Sequence, residues 1–193
     1  MIVFLKGKFE RVSPAAVWVD VNGVGYEVNI SLHTFSKIQH LKEGILFTHL
    51  QIKEDAHSLY GFFDEEERSL FQLLLSVSGV GASTARMMLS SMKPEEIMQH
   101  IASGNELALE KIKGIGAKSA KRLILELRDK VVKIQPTMNI SVSGYNNLEQ
   151  DALYALVSLG IARATAQNAL QKTLKTNPGL SLEDLIKQTL KSI

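Results

Sequence analysis

The hydrophobic positions of this chain change their period near residue 64. Before that point Val17, Val19 and Val21 alternate with Trp18 and Asp20, the period of two of a half-buried strand. Asn22-Gly23 interrupts, and Val24 to Ile30 resumes, so run, turn and run predict a hairpin. Ile45 to Ile52 and Leu59 to Phe63 are further strand candidates, with a helical turn near Thr34 to Ile38. Short strands of this kind crowded into residues 1–63 predict a small antiparallel barrel, for which the OB-fold is the usual class at this size.

From Asp64 the period is helical. Asp64 suits an N-cap, with Glu67 three residues on to reach back, and Leu70, Leu73, Leu74 and Val77 share a face. Pro94 suits a first helical position, followed by Glu95 and Glu96 near the positive helix end. Ala120, Leu123, Ile124, Leu127 and Val131 mark a longer amphipathic helix, so residues 64–132 read as all-helical. Residues 133–147, KIQPTMNISVSGYNN, lose the periodicity and predict a short flexible linker. Residues 148–193 predict three helices. The first carries Leu153, Leu156 and Val157, the second spans Ala162 to Leu174, and the last is capped by Ser181 with Leu182, Leu185, Ile186, Leu190 and Ile193 on one face. The whole is an α+β multidomain chain: barrel, helical module, linker and small bundle.

Composition adds exclusions. The chain has 193 residues, 45% hydrophobic and 22% charged, and no cysteine. That composition excludes wholesale disorder, and the missing cysteine excludes disulfides, thiol catalysis and Cys-ligated zinc. No apolar run approaches the length of a membrane span, and the N-terminal MIVFLKG is too short an apolar stretch for a signal peptide, so the expectation is a cytoplasmic protein with no membrane partner. Net charge is only +2, but Glu110 to Lys133 holds 8 basic and 3 acidic groups. Such a stretch fits either a polyanion site or a solvated helix face.

The helical region echoes itself. Val77-Ser78-Gly79-Val80-Gly81-Ala82-Ser83-Thr84-Ala85-Arg86 aligns with Ile112-Lys113-Gly114-Ile115-Gly116-Ala117-Lys118-Ser119-Ala120-Lys121 at an offset of 35 residues. In each copy an apolar helix meets Gly-hydrophobic-Gly, and a second helix opens behind it. The glycines permit a tight turn and close backbone approach. The N–H groups that follow belong to a helix start, lack intrahelical acceptors and suit a phosphate oxygen. Val80 and Ile115 are expected to pack inward and lock each turn. This is the helix-hairpin-helix pattern of sequence-nonspecific DNA-backbone binders. A P-loop is excluded, because the glycine required before Lys118 is Ala117 and the one required five residues before that is Ile112.

The start MIVFLKG, the hairpin VNGVGYEV, the block KEDAHSLYGFFDEEERSLFQLL, the GVG and GIGAKSAKRLILELRDK segments and LVSLGIARATAQNAL together resemble the RuvA family of Holliday-junction branch-migration subunits along the whole chain. The resemblance implies a homotetramer that holds a four-way DNA junction open and planar, with a second tetramer able to close over it into an octamer. It implies a ubiquitin-associated-type C-terminal bundle, residues 148–193, that binds the hexameric ATPase RuvB, and the resolvase RuvC as a further partner. It implies no cofactor, no metal and no catalysis by the chain itself. Carried onto matching positions, it places backbone contacts to DNA at Gly79, Val80 and Gly81 and at Gly114, Ile115 and Gly116, with Ser83, Lys118 and Arg122 beside them. Relatives often carry lysine where this chain has Ser83 and Ala117, so the first turn relies on amides and hydroxyls unless Arg86 compensates. Glu54 and Asp55 match an acidic pin that faces the crossover; read without the resemblance, they are a solvated turn.

Other residues point less far. His33, His40, His49, His57 and His100 show no paired metal spacing. Trp18 suits packing or base stacking, and Met87, Met88 and Met92 recur at helical spacing, which predicts core. Two rival functions remain at this stage: a structure-selective nuclease using Glu54 and Asp55, and a protein-interaction adaptor acting through its C-terminal bundle.

Overall fold

A computed structural model describes residues 1–138, 148–177 and 179–192. Its chain divides into two compact units, residues 1–139 and 140–193.

The first unit opens with strands β1 (Phe4–Val12), β2 (Ala16–Val21) and β3 (Val24–Ile30), helix α1 (Leu32–Ile38), then β4 (Glu43–Ile52) and β5 (His57–Phe62). They close a barrel in the order β1-β2-β3-β5-β4, with only the β3–β5 pair parallel. The β2–β3 turn has Asn22 and Gly23 both at positive φ, 52° and 88°, the backbone a two-residue hairpin needs. Asp20 Oδ1 accepts the Gly23 N–H at 2.7 Å and fixes it. Leu5, Phe9, Val17, Val19, Val28, Ile30, Ile38, Leu46 and Leu59 fill the barrel, as strand alternation requires. Trp18 lies on the other face, exposed, with the Arg11 guanidinium 5.1 Å from its ring centre.

Helices α2 (Glu65–Leu75), α3 (Ala82–Ser91), α4 (Pro94–Ser103), α5 (Glu106–Glu110) and α6 (Ala117–Met138) follow. Their core runs on from the barrel: Tyr60 and Phe62 of β5 pack with Phe71 of α2 at ring distances of 5.2 and 4.9 Å. Met88 is buried and Met92 half-buried there, but Met87 faces solvent, contrary to the expectation of core, because it lies off the buried face of α3. The short α5 carries too few residues to show a period. Helix α6 continues to Met138, six residues beyond the boundary expected at 132. The linker reading rested on lost periodicity and on Pro136. Lost periodicity removes only the core-facing stripe, and a proline removes one backbone bond without ending the others. The rest of that segment, 139–147, lies outside the described residues.

The helix start at Asp64 departs from a capping box. Asp64 Oδ1 accepts the Glu67 N–H at 2.9 Å and Asp64 Oδ2 takes Lys37 Nζ at 2.7 Å. Glu67 does not reach back. Fully buried, it accepts hydrogen bonds from the Ser31 and Thr34 hydroxyls of α1, the latter at 2.6 Å. Thr34 Oγ1 in turn accepts the Phe63 N–H at 3.0 Å, and Ser31 Oγ accepts the Thr34 N–H at 3.0 Å. The hydroxyls make a better-matched pair of donors than one backbone amide could.

The second unit holds α7 (Leu148–Ser158), α8 (Arg163–Thr176) and α9 (Leu182–Ser192). Gly160, at φ 92°, turns the chain between α7 and α8, and Ser181 Oγ accepts the Asp184 N–H at the start of α9. Ala152, Leu156, Ala166, Leu170 and Leu185 form the core. Val157, Leu182 and Leu190, expected on buried faces, are exposed, because three short helices enclose only a narrow stripe of each. Ile193 lies outside the described residues.

Burial pushes the Glu67 carboxyl above its ordinary pKa, only partly opposed by the Ser31 and Thr34 hydroxyls and by His33, and the Asp64 charge adds to the rise. Burial pushes Asp64 up too, but the Lys37 hydrogen bond, the Glu67 N–H and the charges of Lys37 and His33 together hold it below its ordinary value. The two therefore act oppositely on stability. The Glu67 contribution is full below its ordinary pKa and is lost as pH rises through the raised one. The Asp64 contribution is present above its ordinary pKa and is lost as pH falls through the lowered one. In urea unfolding from acid to neutral pH, the stability difference between the wild type and Glu67→Gln should fall with rising pH, and that between the wild type and Asp64→Asn should rise. Flat differences would show that neither carboxyl titrates differently in the folded state.

Candidate nucleic-acid interface

The two Gly-hydrophobic-Gly turns are geometric copies. Gly79 and Gly114 have φ of 90° and 94°, the left-handed region that glycine alone enters without cost. The Val80 and Ile115 N–H groups bond the carbonyls of Val77 and Ile112, each at 3.0 Å. Their side chains are buried in the module's core, as expected. These two residues thus shape the turns, and their own amides are already occupied.

The donors lie one step further on. Gly81 caps α3 in extended backbone with no side-chain cap bond, and the Ala85 N–H returns to its carbonyl at 2.9 Å. At Gly116 the Ala120 N–H likewise returns to the glycine carbonyl, at 2.9 Å. The amides of the first helical turn behind each glycine, at Ala82, Ser83 and Thr84 and at Ala117, Lys118 and Ser119, have no intrahelical acceptor. A Cβ built on Gly81 or Gly116 meets nothing within 4 Å, so open space lies over both helix starts. Amides, helix dipole and open approach together are the features that suit an anion.

The charge around the copies differs. Lys111, Lys113, Lys118 and Lys121 are all exposed near the second turn. The first turn offers the exposed Ser83 and the half-buried Thr84. Arg86 does not supply its missing cation: Nη1 donates to the Ala15 carbonyl at 3.2 Å and to Asn29 Oδ1 at 2.9 Å, both on the barrel. Arg122, from the helix of the second copy, donates Nη1 to the Ser78 carbonyl at 3.1 Å and lies 3.8 Å from Glu126. Its guanidinium thus stands against the first turn, a cross-link between copies that spacing could not show.

Glu54 and Asp55 are exposed in the β4–β5 turn, which the Lys53 N–H closes on the Ala56 carbonyl at 2.9 Å. Among the described residues there is no group of three or more His, Asp and Glu that could hold a metal ion. His49 packs edge-on against Phe71, its pKa lowered by burial and then by Arg68. No described helix is long and apolar enough to cross a membrane.

A closed five-stranded barrel carrying a tandem helix-hairpin-helix module, followed by a small helical bundle, defines a multidomain helix-hairpin-helix protein. Residues 1–61 match the RuvA N terminal domain, residues 71–129 the SAM-like helix-hairpin-helix tandem and residues 147–193 the RuvA C-terminal domain. The chain is 48% identical to a "Holliday junction branch migration complex subunit RuvA" of Christiangramia forsetii over 193 residues, the whole of both chains. It is 46% identical, again over the whole of both, to the protein of that name in Flavobacterium psychrophilum. With the one in Cytophaga hutchinsonii it shares 44% over 99% of each chain. The chain belongs to the RuvA family.

The two kinds of glycine separate in a stability test. Gly79→Ala or Gly114→Ala forces an L-residue into the left-handed region and should cost about 1–2 kcal/mol in denaturant unfolding. Gly81→Ser places a good N-cap in extended backbone with free space around it, and should leave stability unchanged or slightly raised. Equal losses at Gly79 and Gly81 would contradict the turn geometry.

Proposed function

We propose that this chain is the junction-binding subunit of a branch-migration complex: it holds four-way DNA open and planar as a homotetramer and brings the RuvB ATPase to it, without a catalytic site of its own. The observation that carries the reading is the pair of matched helix starts with unoccupied amides and open approach, in a chain similar over its full length to subunits of that name. The amides behind Gly79, Val80 and Gly81 and behind Gly114, Ile115 and Gly116 take phosphates of one duplex arm. Ser83, Lys118 and Arg122 stand beside them. Val80 and Ile115 contribute as buried pegs.

Glu54 and Asp55 serve as the pin. Two carboxylates at the crossover repel any phosphate that closes on it, so they favour the open form. The C-terminal bundle is the docking element for the motor. Tyr154 is 78% exposed and Leu159 65%, and with Leu182 and Leu190 they leave more apolar surface than so small a bundle needs on its outside. Function in the cytoplasm, assembly of two tetramers into an octamer, and a handover to the RuvC resolvase complete the proposal.

Gel-shift competition between four-way and linear DNA tests it. The wild type should prefer the junction. Gly81→Ser and Gly116→Ser should weaken binding to both forms, because the added hydroxyl takes the amide that a phosphate needs and its Cβ fills the approach. Lys118→Ala should weaken both forms modestly. Absence of any junction preference in the wild type, or cleavage of the junction with Mg²⁺, would overturn the proposal. The chain truncated after Met138 should still bind junctions yet support no ATP-driven migration with the motor. Undiminished migration would move the motor contact elsewhere.

A further inference from the structure

The barrel and the hairpin module meet through two kinds of contact. Phe71 of α2 is fully buried against Tyr60 and Phe62, which gives adhesion without direction. Hydrogen bonds flank this plug, and they are directional. At the start of α2, Glu67 holds the Ser31 and Thr34 hydroxyls of α1. On α3, Arg86 holds the Ala15 carbonyl and Asn29 Oδ1, and the Asn29 amide is itself oriented by its Nδ2–H bond to the Leu59 carbonyl at 3.3 Å. Helix α3 begins at the first anion-binding turn, so a tilt of the module about Phe71 would move that turn relative to the barrel.

We propose that Glu67 and Arg86 are positioning residues that fix the hairpin module on the barrel and thereby set the preference for four-way over linear DNA. This rests on the junction-binding reading above. A linear duplex needs only the local turns, whose geometry is internal to the module. A junction needs the turns of several copies on its several arms at once, each turn held at a set angle to its barrel. Only the second requirement depends on the angle between barrel and module. A loosened module lowers the effective concentration of the second contact and leaves the first alone. The carboxyl of Glu67 is well suited to this: buried with two donors, it is satisfied in one arrangement and uncompensated in others.

The test uses the full chain. Arg86→Met removes two hydrogen bonds from a half-buried side chain and keeps its apolar stem. Glu67→Gln keeps the shape and removes one acceptor. For each folded variant, linear-duplex affinity should stay within about twofold while junction affinity falls about tenfold. Arg86→Met and Asn29→Ala should be non-additive in the double mutant, as partners in one contact are. Because the chain has no native cysteine, spin labels can be placed at His40→Cys on the barrel and Glu95→Cys on the module, with labelled chain diluted into unlabelled. The distance distribution should be narrow in the wild type and broad in both variants. Equal weakening on both DNA forms, an unchanged junction preference, or an unchanged distribution would overturn the inference. A wild type with no junction preference would instead sink the functional reading, and the distance distribution would still decide whether these residues fix the module.

Discussion

A helix start must find acceptors for its first amides, and at the two paired turns this chain supplies none from a capping side chain. Four of the described helices solve the problem locally: Ser31, Asp64, Asn105 and Ser181 each accept a backbone N–H at the head of a helix, whereas Lys93 and Ala162 make no side-chain cap bond. Gly81 and Gly116 cannot, having no side chain. Much of the helical module serves to hold these bare starts steady. The left-handed glycine before each sets the chain direction, the buried Val80 and Ile115 fasten the turn to the core, and Arg122 ties one copy to the other. On the proposed reading, rigidity matters because amide donors have no flexible side chain with which to adjust to a phosphate.

The same division between adhesion and direction recurs at the barrel. Apolar burial around Phe71 favours association of the two parts in many orientations. Directional bonds select one: those of the buried Glu67 and of Arg86, alongside Lys37 to Asp64, Arg68 to the Val3 carbonyl and the Leu32 N–H to Ser90 Oγ. A buried ionisable group is a poor source of stability, since desolvation offsets much of what its bonds return, but it penalises every arrangement in which its partners are missing. That is the property needed where a structure must be unique rather than merely compact.

How much of this could be read from the residues depended on sequence distance. The β2–β3 hairpin was legible because a valine alternation and Asn22-Gly23 are local signals, and the paired turns were legible because a repeat announces itself. The inward packing of Val80 and Ile115 followed from the same local logic. Contacts across the chain were not legible. Glu67 sits where a capping box would use it, and only the folded barrel brings Ser31 and Thr34, 36 and 33 residues away, closer to its purpose. Whether Arg86 serves the first turn could not be told from spacing, because its partner, the barrel carbonyl of Ala15, lies 71 residues away. Exposure of Met87, Leu182 and Leu190 escaped for another reason: helical spacing marks a face, but the width of the buried stripe depends on how many neighbours pack against it.

The unequal charge around the two turns carries a consequence for ionic strength. Lysines displace condensed counterions from a polyanion, and the entropy of that release fades as salt rises. Amide and hydroxyl donors displace far less whole charge. On the proposed reading, the second turn, with Lys111, Lys113, Lys118 and Lys121 exposed along the chain around it, would grip by a force that the medium tunes, and the first, with its amides, Ser83 and Thr84, by one that the medium hardly touches. Two turns with the same backbone would thus divide the labour of that proposed hold: one responds to the ionic surroundings, and the other supplies a floor beneath which the hold does not sink.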